Sequence, residues 1–517
     1  MGDAEFHVAR IQFLFASGLS NADPFLGEGF SPWYHTNIFH AFIASAAQLT
    51  RCDVLDIWYQ SSPFATLINA SGIYFLAFIV FDNRWIAWIA TLVFLGHNVS
   101  CDYMIYPNKV STYWLLSVGI GMALKMLDSG FCAKYILSLA LCFLVLGQVH
   151  SLYGLFLGVV LIAYATVLIG IQSVRNRAVP YHLIGMMLAV SMSIPFALIS
   201  RYAFVQSTHS AVEAVDEEEA TYQNRNADEA PGQGNEDNAR TDERVNARTV
   251  PLANILGSSE EQLLLLVAFT LGLLSGRKKQ VASLLFIIGI VIVFIRVPSL
   301  YNIALRIAGS DWIVMRFQGI VSVSTDIMIP AGLFVLLAEC ERYWFIKTVV
   351  IPIVMIATFG LSISDCSTMV DYEKAKSVIV KVVNRTDKRK RALLDRLKNR
   401  GNLLREHIPA GSYVLADITT GYKIAISHSV RLLKVRKNVG RVHDKEERAA
   451  DLRSLLDRNT ERKKRIKLLK KYPIQFWVYI ARTRGARKKY AWIEEYGTCV
   501  GTKYGMKVIK INSEILR

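Results

Sequence analysis

The sequence predicts a mostly α fold, a polytopic membrane helix bundle followed by a small C-terminal α/β domain outside the membrane. Three observations carry that expectation. The 517-residue chain is 52% hydrophobic, too apolar for a soluble protein of its size. About ten apolar runs long enough to approach a bilayer crossing fall between residues 61 and 364. From 365 onward, short β-rich runs alternate with charged helical stretches, the pattern of an α/β domain.

The chain begins DAEFHVARIQFLFASGLSNADPFLGEGFSPWYHTNIFHAFIASAAQ from Asp3. Phe6, Ala9, Ile11, Phe13 and Leu14 recur at helical spacing until Gly18 ends the run. Asp3 at the mouth of that helix is either an N-cap or a catalytic base. The stretch 33–50 carries His35, Asn37 and His40 among aromatics, which suits a helix lying flat in the interface. Residues 1–60 are therefore expected to form a first outer loop with interfacial helices. No basic start followed by an apolar core is present, so no cleavable signal peptide is expected.

The predicted spans lie near 61–81, 85–100, 111–127, 135–150, 153–174, 181–200, 254–275, 281–297, 326–342 and 346–364. With residues 1–60 outside, the short loops bearing Arg84, Lys134, Arg175, Arg177, Arg277 to Lys279 and Arg342 to Lys347 fall inside, as the positive-inside rule requires. The outer face then holds the first stretch, the loop 101–109, His150 to Tyr153, the loop 296–325 and everything after about 365. It also holds the acidic insert 203–250, which has almost no large apolar residues and is expected to be disordered.

In the tail, YVLAD (413–417), YKIAI (422–426), RLLKV (431–435), FWVYIAR (476–482) and MKVIKI (506–511) are the predicted strands. A helix is predicted around His443 to Arg448, where Asp444 and Glu447 have capping-box spacing. The net charge of +17 is concentrated in this basic last third. Its run Arg462 to Lys471 is a solvated helix face that could also meet anionic headgroups or an acidic glycan. Nucleic acid is excluded as a partner, since the domain is expected outside the cytoplasm and carries no binding motif.

Walker, GxGxxG, HExxH and GxSxG patterns are absent in usable contexts, which removes nucleotide-driven transport and the common hydrolase chemistries. Seven cysteines without CxxC or regular spacing define neither a disulfide framework nor a zinc site. What remains is a set of outer-face polar groups: Asp3, Glu5, His7, Asp23, Glu28, His35, His40, Tyr106, Asn108, Lys109, His150, Tyr153, Arg306 and Arg316. Transfer of a group from a lipid phosphate needs a base for the acceptor and a cation for the leaving phosphate. Asp3 or Glu5 fits the first post, and Arg316 or Lys109 the second. His7, His35, Tyr106 and His150 are candidate substrate contacts. The histidines with Glu5 have the ligand chemistry for a divalent metal but not the tight spacing, so no metal ligand is assigned. Arg316 and Lys109 also have a plain reading as interfacial anchors.

These residues resemble the GT-C integral membrane glycosyltransferases, in particular the bacterial-type relatives of protein O-mannosyltransferases and lipid A aminoarabinose transferases. The likeness rests on Asp3-Ala4-Glu5-Phe6-His7, on DPF and YHTNIFH, on SDWIVMRF in the late outer loop, and on IPAGSYVLADITTGYKIA followed by HDKEERAADL in the tail. It implies a polyprenyl-phosphate-linked sugar donor and a glycan, lipid or protein acceptor at the outer face of a plasma or inner membrane. It also implies that Asp3 is the base, that Glu5 is a second carboxylate or a ligand for Mg or Mn, and that Arg316 holds the lipid phosphate. The family carries a membrane helix before the acidic motif, whereas Met1-Gly2 precede Asp3 here, so one such helix is expected to be missing. Two rivals remain. A lipid-linked sugar transporter or flippase predicts charged residues lining a path through the spans, where few occur. A non-catalytic protein that binds envelope polymers predicts that Asp3 is only a helix cap.

Overall fold

The computed structural model describes residues 3–20, 22–26, 38–97, 104–176, 180–196, 265–270, 278–308, 313–339, 394–433, 445–480 and 491–516, with isolated positions at 198, 273 and 392. The expected insert 203–250, the span 346–364 and most of the span 254–275 lie outside these residues. The chain divides into two compact units, one of Met1–Ser61 with Val370–Arg517 and one of Ser62–Met369.

The second unit is the helical one. Helix α3 (Val54–Phe81) begins in the first unit and continues into it, followed by α4 (Arg84–His97), α5 (Pro107–Ser129), α6 (Ala133–Val149), α7 (Ser151–Asn176) and α8 (Tyr181–Ser191). After the undescribed stretch come α9 (Lys278–Arg296), α10 (Pro298–Ala308) and α11 (Ile313–Glu339). Among the described residues four helices are long and apolar enough to cross a membrane: Val54–Phe81, Pro107–Ser129, Ser151–Arg175 and Lys279–Arg296. Every residue of such helices can close its backbone hydrogen bonds internally, which is why apolar runs of this length fold as helices in lipid. The predicted outer loop 296–325 is largely helical instead, in α10 and the first half of α11. Its hydroxyl and charged residues are spaced among Ile, Val and Met, so a single strong apolar run was hidden.

Side chains tie these helices together. The Tyr164 hydroxyl on α7 donates to Ser283 Oγ on α9 at 2.6 Å. Lys279, at the start of α9, donates to the Leu127 carbonyl at the end of α5 at 2.7 Å, and Gln280 donates to Asp128. A cation at the carbonyl end of a helix is electrostatically favourable.

Within α5 the segment Val110–Leu116 is wound as a π-helix. Its carbonyls attract side-chain donors: Ser117 Oγ bonds Tyr113 O at 2.7 Å, and Cys142 Sγ approaches Leu115 O at 3.3 Å. Gly72 on α3 makes room for the widened turn, because a Cβ there would sit 2.4 Å from Tyr113 O and 2.7 Å from Trp114 Cα. Such π-segments often mark functional stretches of helix.

The first unit combines both ends of the chain. Helices α1 (Asp3–Ser17) and α2 (Ile38–Thr50) come from the N-terminal stretch. At about 1.5 Å per residue α2 spans about 20 Å, short of a bilayer core of about 30 Å. The C-terminal part supplies α12 (394–407), β1 (Tyr413–Leu415), α13 (Ile418–Ala425), β2 (Arg431–Leu432), α14 (Lys445–Leu456), α15 (Arg462–Lys471), β3 (Phe476–Ile480), β4 (Gly497–Lys503) and β5 (Met506–Ile511). The sheet order is β2-β1-β3-β5-β4, with β1 parallel to β2 and β3 and the remaining pairs antiparallel.

YKIAI is helical rather than a strand. Asp417 caps α13, accepting from Thr420 N at 3.0 Å and from the Thr420 hydroxyl at 2.6 Å, and this N-terminal cap outweighs the β-like alternation of Tyr, Ile and Ile. The α14 prediction holds from Lys445 onward, while Asp444 lies outside the described residues. Leu452, Leu455, Leu468, Leu469, Trp477, Ile493, Ile509 and Ile511 form the core. Arg465 is buried with them. Its guanidinium lies 4.1 Å from the Trp492 ring centroid and donates to Tyr496 Oη at 2.6 Å.

The N-terminal stretch joins this domain through a compact clasp. Leu432 N, on the edge strand β2, donates to Phe25 O at 2.7 Å, and the fully buried Phe25 ring meets Tyr422 edge-on at 4.9 Å. Two ion pairs add to it, Lys398 with Asp56 at 2.5 Å and Arg405 with Asp53 at 3.2 Å.

Candidate functional site

The candidate residues fall into two groups, one in each unit. In the first unit they radiate from α1. Asp3 opens this helix and Glu5 follows, but the side chains of both lie outside the described residues, as does all of His35. His7 stands one turn after Asp3 and is buried. Its Nδ1 lies 2.9 Å from His40 Nε2 on α2, so one ring donates and the other accepts. The two imidazoles stack at 5.2 Å, and Trp58 stacks on His7 at 5.9 Å. Burial pushes the His7 imidazole down to about 3, so it is neutral at working pH. His7 therefore acts as a neutral hydrogen-bonding group beside the first turn of α1, not as a phosphate-binding cation.

Arg10, three residues further along α1, is also buried and donates to the carbonyls of Ser20 and Ala22. It folds the chain after α1 back toward the helix. The turn that follows is closed by Asp23, whose Oδ1 accepts from Phe25 N and Leu26 N, both at 2.9 Å. Asp23 is wholly buried, and its Oδ2 has no hydrogen-bond partner. Burial raises its carboxyl to about 6, against the pull of the two N–H groups and of Arg10. Arg10, His7, His40 and Asp23 thus fix α1, α2 and the Asp23 turn as one rigid polar assembly around the start of α1.

In the second unit the candidates gather at the start of α5. Tyr106 precedes the helix, Pro107 opens it, and Lys109 is half-buried with its Nζ 5.5 Å from the Tyr113 ring centroid. Asp326 sits midway along α11. Thr112 and Tyr153 close around Gly319 on α11, where a Cβ would lie 3.3 Å from Thr112 Cγ2 and 3.0 Å from Tyr153 Cε1. His150 is buried and meets Tyr153 edge-on at 4.8 Å. Arg316 falls in the first turn of α11 rather than in a loop, and its side chain lies outside the described residues.

Among the described residues no three His, Cys, Asp or Glu side chains are grouped to hold a metal ion. His7 and His40 are committed to each other instead. Asp326 and Trp58 were not singled out from the sequence. A single acid within the apolar run of α11 was the available signal for Asp326, whereas no local pattern marks Trp58 as a partner of His7.

No family model matches the chain, and no curated protein matches it. Among solved structures the chain is similar to ArnT from Cupriavidus metallidurans in the apo state, with a TM-score of 0.50 and 11% identity over 100% of this chain and 94% of that one. It is also similar to the Archaeoglobus fulgidus oligosaccharyltransferase in complex with Zn and sulfate, at a TM-score of 0.45 and 10% identity over 92% of this chain and 64% of that one. A further similar structure is archaeal AglB from Archaeoglobus fulgidus with an inhibitory peptide and a dolichol-phosphate, at 0.45 and 12% over 92% and 65%. The likeness to ArnT runs the length of both chains and shows a shared overall fold.

Proposed function

We propose that this chain is an integral membrane glycosyltransferase that takes a sugar from a polyprenyl-phosphate-linked donor and passes it to an acceptor hydroxyl at the outer face. The observation that carries this reading is the end-to-end match in fold to ArnT. A fold alone hosts many chemistries, so the reading also leans on the residues that the sequence resemblance marks. Asp3 takes the proton of the acceptor hydroxyl. The freed oxygen attacks the anomeric carbon from the face opposite the phosphate, and the carbon–phosphate-oxygen bond breaks. Its electron pair passes to the phosphate, where Arg316 and Lys109 hold the charge. Attack from the opposite face inverts the anomeric configuration. Fixed cations aimed at the leaving group supply much of the rate in such sites.

The rigid assembly of His7, His40 and Arg10 supports this assignment, because it fixes the backbone of α1 directly behind Asp3 and Glu5. A base held by a locked helix keeps the geometry that catalysis needs. Glu5 serves as a second carboxylate beside Asp3. The described side chains do not form a Mg or Mn site, and no step here is routed through a metal. The C-terminal α/β domain is assigned to the extracytoplasmic side together with residues 1–61, with which it folds.

The test is sugar transfer from a panel of synthetic polyprenyl-phosphate sugars by the reconstituted full chain, beside Asp3→Asn. Transfer that is lost by at least a hundredfold in a folded Asp3→Asn protein supports the reading. Undiminished transfer in the variant would remove Asp3 as the base, and transfer from a nucleotide sugar alone would remove the lipid donor.

A further inference from the structure

We propose that the exposed lysine face of α15, formed by Lys463, Lys464, Lys467 and Lys470, is a docking surface for the anionic headgroups of a lipid bilayer. Docking of this kind is independent of the sugar-transfer reaction.

The sequence supplies the charge. Residues 370–517 hold 38 Lys and Arg against 15 Asp and Glu, an excess larger than the +17 of the whole chain. Such an excess attracts polyanions. Helix α15 gathers it most densely, with seven cations in the ten residues RKKRIKLLKK.

These cations divide between anchoring the helix and facing solvent. At about 100° per residue, Lys463, Lys464, Lys467 and Lys470 fall within an arc of about 120°, and all four are exposed. The buried residues Arg465, Leu468 and Leu469 lie on the other side of the helix. The two leucines belong to the core of the domain, and the Arg465 guanidinium lies against the Trp492 ring. Lys471 is clamped to α14, donating to Glu447 and, at 2.6 Å, to Asp451. Those two carboxylates are thereby engaged. Among the described residues no salt bridge or side-chain hydrogen bond holds Lys463, Lys464, Lys467 or Lys470. A helix fixed on its far side therefore presents four unpaired ammonium groups along about 10 Å.

Shape and chemistry select the occupant. This face is the convex side of a helix and carries no aromatic ring, whereas sites for small ligands are concave and lined by apolar and aromatic groups. Lysine is a compact charge on a flexible stem, suited to phosphates in any orientation, while the arginine fork suits one fixed partner. Four such charges on a straight helix match a flat array of mobile headgroup phosphates. The bilayer is also the polyanion always at hand. Helix α3 starts in this unit and runs on as a membrane helix, which tethers the domain to the lipid surface at high effective concentration.

The experiment uses the full chain in nanodiscs of phosphatidylcholine, and in nanodiscs of equal parts phosphatidylcholine and phosphatidylglycerol. Acetylation of individual lysines by a water-soluble N-hydroxysuccinimide ester is followed by mass spectrometry, with the exposed Lys503 and Lys510 as references. Acetylation of Lys463, Lys464, Lys467 and Lys470 is expected to be about fivefold slower in the anionic discs, with the references unchanged. In about 1 M salt, where screening acts within about 3 Å, the difference disappears. Lys467→Gln with Lys470→Gln, both at exposed positions, restores fast acetylation of Lys463 and Lys464. Equal rates in the two lipids overturn the proposal, as does protection that persists in the double variant. Equal slowing of Lys503 and Lys510 also overturns it, because it marks a general effect of surface pH. Polygalacturonate is added to neutral discs as a third arm. Slowing by that polymer with none by phosphatidylglycerol assigns the face to an acidic glycan and refutes the bilayer.

Discussion

Asp23→Asn is expected to stabilise the protein at neutral pH and to cost about 1 kcal/mol near pH 4. In the folded chain burial raises the Asp23 carboxyl from 3.8 to about 6. Between those values the folded state binds more protons than the unfolded one, so stability falls as pH rises through the window. The protonated acid contributes stability that is fully present below pH 4 and lost once pH has passed 6. At about 1.4 kcal/mol per pK unit, a shift of about two units corresponds to about 3 kcal/mol. Asparagine keeps the Oδ1 that accepts from Phe25 N and Leu26 N and removes the buried charge. Its amide occupies the place of Oδ2, which has no partner, and an unmet N–H there returns about 1 kcal/mol of the gain. The net is about 2 kcal/mol, or about 4–8 °C in the melting of a unit of roughly 200 residues. Tryptophan fluorescence of the full chain, heated in one detergent at pH 4 and pH 7.5, reads this out through Trp58, which stacks beside His7. Parallel shifts at the two pH values, or a variant less stable at pH 7.5, would refute the argument that burial sets this carboxyl.

Three further substitutions test the packing. Gly72→Ala drives a methyl into the backbone of Tyr113 and Trp114 and should cost about 1–3 kcal/mol, seen as a lower thermal midpoint in detergent. Phe25→Ala empties the contact with Tyr422 and should cost about 3–5 kcal/mol, with faster proteolytic cleavage between residues 18 and 37 as the readout. Arg465→Met keeps the volume but leaves Tyr496 Oη without its donor and loses the stacking on Trp492. A loss of about 2–4 kcal/mol in chemical denaturation of the C-terminal domain is expected.

The helical bundle was legible because lipid forces one answer on a long apolar run, and the described spans lie where the hydropathy put them. Two local readings failed for local reasons. In YKIAI the alternation suited a strand, but Asp417 and Thr420 three residues apart spelled a helix start that went unweighed. Strand β4, GTCVGTK, was overlooked because it is polar and half-exposed, and because its glycines weaken the β signal. Gly497 is needed there, since a Cβ would lie 2.1 Å from Lys510 O on β5. At the site, the sequence marked His7, His40, Asp23 and Lys109 as polar groups worth attention. It could not pair His7 with His40, or Arg10 with Ser20 and Ala22. Those partners come from other elements, and composition carries no record of them.

The clasp between Phe25 and the strand at Leu432 has a consequence for synthesis. The two partners are separated by about 400 residues, so at about 5–20 residues per second the N-terminal stretch waits roughly 20–80 s for the sheet that receives it. Throughout that interval Phe25 has no Tyr422 to cover it, and the helices of the other unit are being inserted. The sheet that receives Phe25 is therefore made only after the helical unit has been synthesised. A chaperone that holds apolar segments would have its longest opportunity at the first sixty residues of this chain. Any ribosome that stalls before Leu432 releases a protein with membrane helices and no clasp.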